Sequence, residues 1–220
     1  MTRSELIKRY LFLIIGLISS SLGIALITKA GLGTSPISSL PYVLSIIFPF
    51  TLGEFTFIVN MLMIVGQIII LKKKFHKLQF LQVPMTIIFS FSIDIFMSLF
   101  SLLNPTFYFV KIFSLLIGCI FIGLGISLQV HSNVLILPGE GMVRAISFKL
   151  EKEFGTVKTL FDISLVVISI LLSLAFLGKI AGLREGTLIA ALIVGSISRF
   201  FIKKLGFLQE VFKAQASEIK

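Results

Sequence analysis

Six stretches of the chain are apolar for long enough to cross a bilayer: about 10–28, 55–71, 80–103, 107–130, 159–177 and 186–204. A crossing helix needs about 20 apolar residues, because each residue rises about 1.5 Å through hydrocarbon about 30 Å thick. Two further stretches fall short. Segment 36–50, PISSLPYVLSIIFPF, is apolar but brief and carries Pro41 and Pro49, which have no backbone N–H to donate. Segment 138–153, PGEGMVRAISFKLEKE, is amphipathic, with Glu140, Arg144, Lys149, Glu151, Lys152 and Glu153 spread along it. Each is expected to be a short helix opened by proline, which loses no hydrogen bond at the first helical position. Ser35, before Pro36, stands where an N-cap belongs. Two placements are open for these helices: re-entrant, dipping their N-termini into the bilayer, or lying in the interface.

Shifting the chain by 102 positions lays its second half on its first. LIIGLISSSLGIAL around Gly16 then overlies LLIGCIFIGLGISL around Gly118, so that Ile15, Ile18, Leu22, Gly23, Ile24 and Leu26 recur. The same shift, without a gap, pairs Pro36 with Pro138, Ser45 with Ser147, Gly53 with Gly155 and Asn60 with Asp162. Apolar composition alone does not produce this agreement, which signals a duplication. The first repeat covers 1–104, the second 105–206, and 207–220 is left as a tail. Three crossings per repeat is an odd number, so the second copy enters from the opposite side. The expected fold class is an all-α polytopic membrane protein: six transmembrane helices as two inverted three-helix repeats, each with a short Pro-led helix. In such folds the site lies near the midplane between the copies.

Composition agrees and adds an orientation. Hydrophobic residues make up 56% of the 220 residues and charged ones 14%, against about 25% charged in soluble domains. The net charge of +10 would suggest nucleic acid in a soluble protein, but here Lys and Arg flank the apolar runs, so no nucleic-acid partner is expected. With six crossings and the N-terminus inside, sixteen Lys and Arg fall inside, KKKFHK at 72–77 among them. Only Lys29, Lys111, Lys179 and Arg184 stay outside. The positive-inside rule therefore places both termini in the cytoplasm and the protein in the cell membrane. Cys119 is the single cysteine, so no intramolecular disulfide forms.

Polar residues inside apolar runs are the candidate chemistry. Asp94 lies in the third span and Asp162 near the start of the fifth. A carboxylate in hydrocarbon is costly, about 2.5 to 3.5 kcal/mol on insertion scales, so it faces the bundle interior. For Asp94 this allows a proton carrier or a hydrogen bond to a neighbouring helix end; for Asp162, a site residue or a cap. Asn60 is the repeat mate of Asp162, and Gln67 lies two turns on; either lines a site or joins helices. Glu140 and Arg144, early in the second short helix, offer an anion site or an inner-surface contact. Ser35, Asn60, Asp94, Glu140, Arg144 and Asp162 form the expected substrate-binding set. The glycines at 16, 23, 118, 123 and 125, with Ser19 and Ser127, permit close helix approach. His131, where a glycine-rich span ends, is read as interfacial.

The pattern GxxxxxLGIAL, a linker, GxSP or PGEG, and then a glycine before the next span, given twice, resembles the bacterial YczE/YitT-like membrane proteins over residues 8 to 204. The resemblance implies an integral cytoplasmic-membrane protein and names no substrate. Similar members carry an acid shortly after the first-half proline. Ile37, Ser38 and Ser39 stand there in this chain, while the second half keeps Glu140, so an acid-dependent site would draw on one half only. The sequence contains no Gly-rich phosphate loop and no His or Cys pair at metal-ligand spacing. No catalytic residue, metal or cofactor is expected, and the chain is not expected to be an enzyme. The reading is a small-solute secondary transporter or facilitator, partnered by the bilayer and an unnamed solute. Its alternative is a non-transporting accessory or scaffold protein. A homodimer is compatible with so small a bundle.

Overall fold

The computed structural model describes residues 3–103 and 105–206; the expected tail at 207–220, with Lys213 and Lys220, lies outside the described residues. The described chain is helical: α1 (Arg3–Lys29), α2 (Pro36–Ile47), α3 (Leu52–Leu71), α4 (Gln82–Leu99), α5 (Tyr108–Ser132), α6 (Pro138–Leu150), α7 (Phe154–Leu177) and α8 (Glu185–Lys204). Tight 3-10 turns at Lys72–Lys74 and Lys77–Leu81 join α3 to α4. All but α2 and α6 are long and apolar enough to cross a membrane, and the protein is a multi-pass helical membrane protein.

Several helix ends differ from the apolar runs, each for a local reason. The first helix is already formed at Arg3, the first described residue, well before its apolar run, and Glu5 and Arg9 pair across one of its turns at 2.9 Å. Arg9, buried, also donates from Nη1 to the carbonyl of Ser132 at 3.0 Å. A cation there meets the negative end of α5. The seventh helix starts at Phe154 rather than 159, as soon as Glu151 has turned α6 off at φ 53°. The fourth stops at Leu99, and Phe100, Ser101 and Leu103 continue as turns towards Pro105.

At the centre α1 lies against α5. A Cβ on Gly16 would fall 2.8 Å from the carbonyl oxygen of Gly125, and one on Gly23 would fall 2.5 Å from that of Gly118. The backbones therefore touch, as small residues allow in membranes. The pairing order reverses along the chain, so the two helices run antiparallel. Ser19 donates to the carbonyl of Phe121 at 2.8 Å between the glycine pairs. Leu13, Leu17, Ile27, Leu115 and Cys119 are buried beside this seam. The fourth helix packs on α1, where Ser21 donates to Phe89 O at 3.1 Å, and α8 packs on α5.

The short helices cross over between halves: α2 packs on α7 and α3, and α6 packs on α3 and α7. Their register shows how deep they reach. Phe48, just past α2, sits edge-on to Phe176 at the end of α7, with ring centroids 5.7 Å apart. Ser39, in the first turns of α2, meets Ser169, about two turns further into α7. Likewise Lys74 lies over the Phe148 ring near the end of α6, at 4.4 Å. The start of α6 lies against Met63 and Gln67, further into α3. Each short helix thus has its C-terminus at one end of the bundle and its N-terminus within it.

Candidate functional site

The first turns of α2 and α6 meet. The Cδ1 of Ile37 is packed where a Cβ on Gly139 would be, so any larger residue there would have to push the end of that side chain aside. Polar groups surround this contact. Buried Ser35 has the extended backbone of an N-cap, but its hydroxyl makes no cap bond and donates instead to the Ser38 hydroxyl at 2.9 Å. Ser39 donates to Pro36 O at 2.6 Å, and its hydroxyl lies 3.2 Å from that of Ser169. On the other side Gln67 and Gln82, both fully buried, exchange amide hydrogen bonds at 3.2 Å each way. The second hydrogen of the Gln67 amide goes to Pro138 O at 3.1 Å, which ties α3 and α4 to the start of α6. Gly141 leaves room for this amide, since a Cβ there would come within 2.7 Å of its oxygen.

One turn of α6 carries the charge. Glu140, half-buried, lies within electrostatic reach of Lys158 and Asp162 on α7. Those two form an i,i+4 pair, with Nζ at 2.6 and 2.7 Å from the two carboxylate oxygens. The side chains remain about a quarter exposed, 28% for Lys158 and 24% for Asp162, so the pair is in contact with surroundings other than protein. Lys158 pairs with Asp162, which leaves Glu140 as the second acid of this trio. It also stands in the first turn of its helix, where the helix dipole favours an anion.

Of the six residues expected to bind substrate, the structure brings Glu140 and Asp162 together and seats Ser35 nearby, in the linker to α2. Asn60, half-buried, is turned back on its own helix, donating to Thr56 O at 2.8 Å. Arg144 is exposed. Asp94 lies at the far end of α3, where it accepts from Thr51 Oγ1 at 2.7 Å and from Gly53 N at 2.8 Å. Of the two readings of Asp94, this is the bond to a neighbouring helix end. His131, read as interfacial, is buried, with Nδ1 2.8 Å from Ser127 O.

Sequence reasoning passed over Ile37 as a contact residue, and Ser39, Ser169, Gln82 and Lys158 as parts of the site. The repeat offset already connected them. Under the shift of 102, Gln67 maps to Ser169, Ser39 to Gly141 and Ile37 to Gly139. The contacts Gln67 with Gly141 and Ser169 with Ser39 are therefore mates, and Ile37 touches its own equivalent.

A family model described as a family of unknown function (DUF6198) matches residues 7–203. No curated protein and no solved structure matches the chain.

Proposed function

The chain belongs to the family of unknown function DUF6198, and we propose that it is a small-solute transporter or facilitator of the cytoplasmic membrane, not an enzyme, built from two inverted copies of one three-span unit. The observation that carries this reading is the meeting of Ile37 with Gly139, repeat mates on the first turns of the two short helices. Two re-entrant helices that meet N-terminus to N-terminus direct unpaired N–H groups and partial positive charge at one point of the bundle interior. Serine hydroxyls on one side and a glutamine pair on the other surround that point. Non-helical backbone at depth is tolerated where protein covers it, and Leu32, Gly33, Thr34 and Ser35 in the first linker are all buried. The resemblance to YczE/YitT-like proteins belongs to this proposal, as does the placement of both termini inside.

The solute is small and polar, held by hydroxyl, amide and backbone N–H groups, with Glu140 as the charge that discriminates. Proteoliposomes provide the test, by stopped-flow light scattering after an osmotic step with urea, glycerol, formate or ammonium. Solute entry above protein-free vesicles is expected for at least one of the four. Ile37→Trp should abolish it, and Glu140→Gln should change its rate several-fold, while Arg144→Gln leaves it unchanged. If no solute in the panel enters faster than in empty vesicles, the reading fails.

A second reading, a non-transporting scaffold, draws on the same contact seen differently: Ile37 puts hydrocarbon at the meeting point. Enlarging that side chain would then leave every flux unchanged, and a stoichiometric membrane partner would co-purify with the wild-type chain.

A further inference from the structure

Away from this junction, at the other end of α3, a cleft of about 410 Å³ opens between α3 and α4. Its walls are Phe57 and Ile58 from α3 and Ile87 and Phe91 from α4. Ile58, Ile87 and Phe91 are exposed, so the cleft opens sideways, where the bilayer lies, rather than into the bundle. Its volume is within the range of about 300–1,000 Å³ usual for small-molecule sites.

Two carboxylates and a hydroxyl set its polarity. Asp94 lines the cleft while holding Thr51 and Gly53. Glu54 lines it too, its Oε2 accepting from Thr51 N at 2.7 Å in a reciprocal capping box. Among the described residues neither carboxylate has a basic partner. The N-terminus of α3 offsets only about half a charge, which leaves the rim clearly negative. Ser90 also lines the cleft; it is 5% exposed, and its hydroxyl has no hydrogen-bond partner. A buried, unpaired hydroxyl beside two unbalanced carboxylates is a polar set with a member missing.

We infer that this cleft is a binding site for a lipophilic organic cation that enters from the bilayer. Its apolar body lies between Ile58 and Ile87 and against the faces of Phe57 and Phe91, where a cation over an aromatic ring is also favoured. Its charged group sits between Glu54 and Asp94, with Ser90 on the wall beside them. The junction of α2 and α6 takes no part, so this site stands or falls independently of the transport reading.

The test compares two ions of one shape and opposite charge, tetraphenylphosphonium and tetraphenylborate, by equilibrium dialysis against the full chain in phosphatidylglycerol nanodiscs. Saturable binding of the cation alone is expected. Glu54→Gln, which keeps a capping-box side chain at that position, should weaken it at least tenfold. Ile87→Trp, at an exposed position, should fill the cleft and abolish binding without touching the fold. Equal binding of both ions would overturn the inference, and so would cation binding unchanged in both variants.

Discussion

Gly23 has no room for even one methyl group. A Cβ there would lie 2.5 Å from Gly118 O and 2.8 Å from Ile122 N, both backbone atoms that move only if a whole helix moves. Gly23→Ala is therefore expected to lower stability by about 1–3 kcal/mol, the usual penalty for overpacking, read as a fall in midpoint temperature in detergent. Gly195→Ala is its control: nothing lies within 4 Å of that position, so relief of glycine's backbone entropy should leave stability unchanged or raised by up to about 1 kcal/mol. Asp94 makes a second prediction at this scale. Its carboxylate accepts one hydroxyl and one backbone N–H at the start of α3, and charge-assisted bonds of this kind contribute about 1.5–3 kcal/mol. Asp94→Ala should cost about that much by the same thermal measurement. A proton carrier with no structural duty would show no such loss.

At the scale of elements, the Gln67–Gln82 pair decides whether α3, α4 and α6 stay together. Gln67→Leu strands the buried Gln82 amide and is expected to destabilise by about 1–3 kcal/mol, because an unsatisfied buried polar group bears its full desolvation penalty. The double variant Gln67→Leu, Gln82→Leu removes both amides together and should be more stable than the sum of the single changes predicts. A double-mutant cycle on thermal unfolding measures that coupling, and strict additivity would contradict it. These elements show what the sequence made legible. The six long helices followed from apolar length, and Pro36 and Pro138 marked the starts of both short helices to the residue, since proline without an N–H belongs at a helix start, while their ends fall three residues short of the expected 50 and 153. Asp162 and Glu140 were legible as polar residues in apolar surroundings. Their partner Lys158 was not, because in sequence a lysine four residues before an aspartate reads as a flank charge until α6 delivers Glu140 beside both. The bond of Asp94 to a helix end was one of its two readings, but its partners were not legible: Thr51 and Gly53 lie more than forty positions away, and only the packing of α3 on α4 joins them. The stripe Gln82, Thr86, Ser90, Asp94, polar at every fourth position of a run that is otherwise apolar but for Ser92, was the overlooked signal. Four-residue spacing keeps side chains along one face of a helix, and three of the four meet or line the space beside α3.

The architecture of the whole molecule turns on a relation between distant loops. In the proposed arrangement the repeat mates Phe50 and Lys152, exposed in the loops after the two short helices, lie on opposite faces of the membrane. Lys73, between α3 and α4, shares a face with Lys152, as the contact of Lys74 with Phe148 supports. Cys119 is the only cysteine and is wholly buried, so a Cys119→Ala background carries no competing thiol, and single cysteines at 50, 73 and 152 can be read one at a time. With a membrane-impermeant maleimide, Phe50→Cys should label in intact cells. Lys73→Cys and Lys152→Cys should label only in inside-out vesicles, because basic loops are retained on the cytoplasmic side. Each outcome separates a distinct part of the argument. Labelling of positions 50 and 152 from the same face would mean the copies are not inverted, and the two short helices would then have no common centre to point at. Opposite labelling with the basic loop outside would keep the inversion and reverse only the orientation.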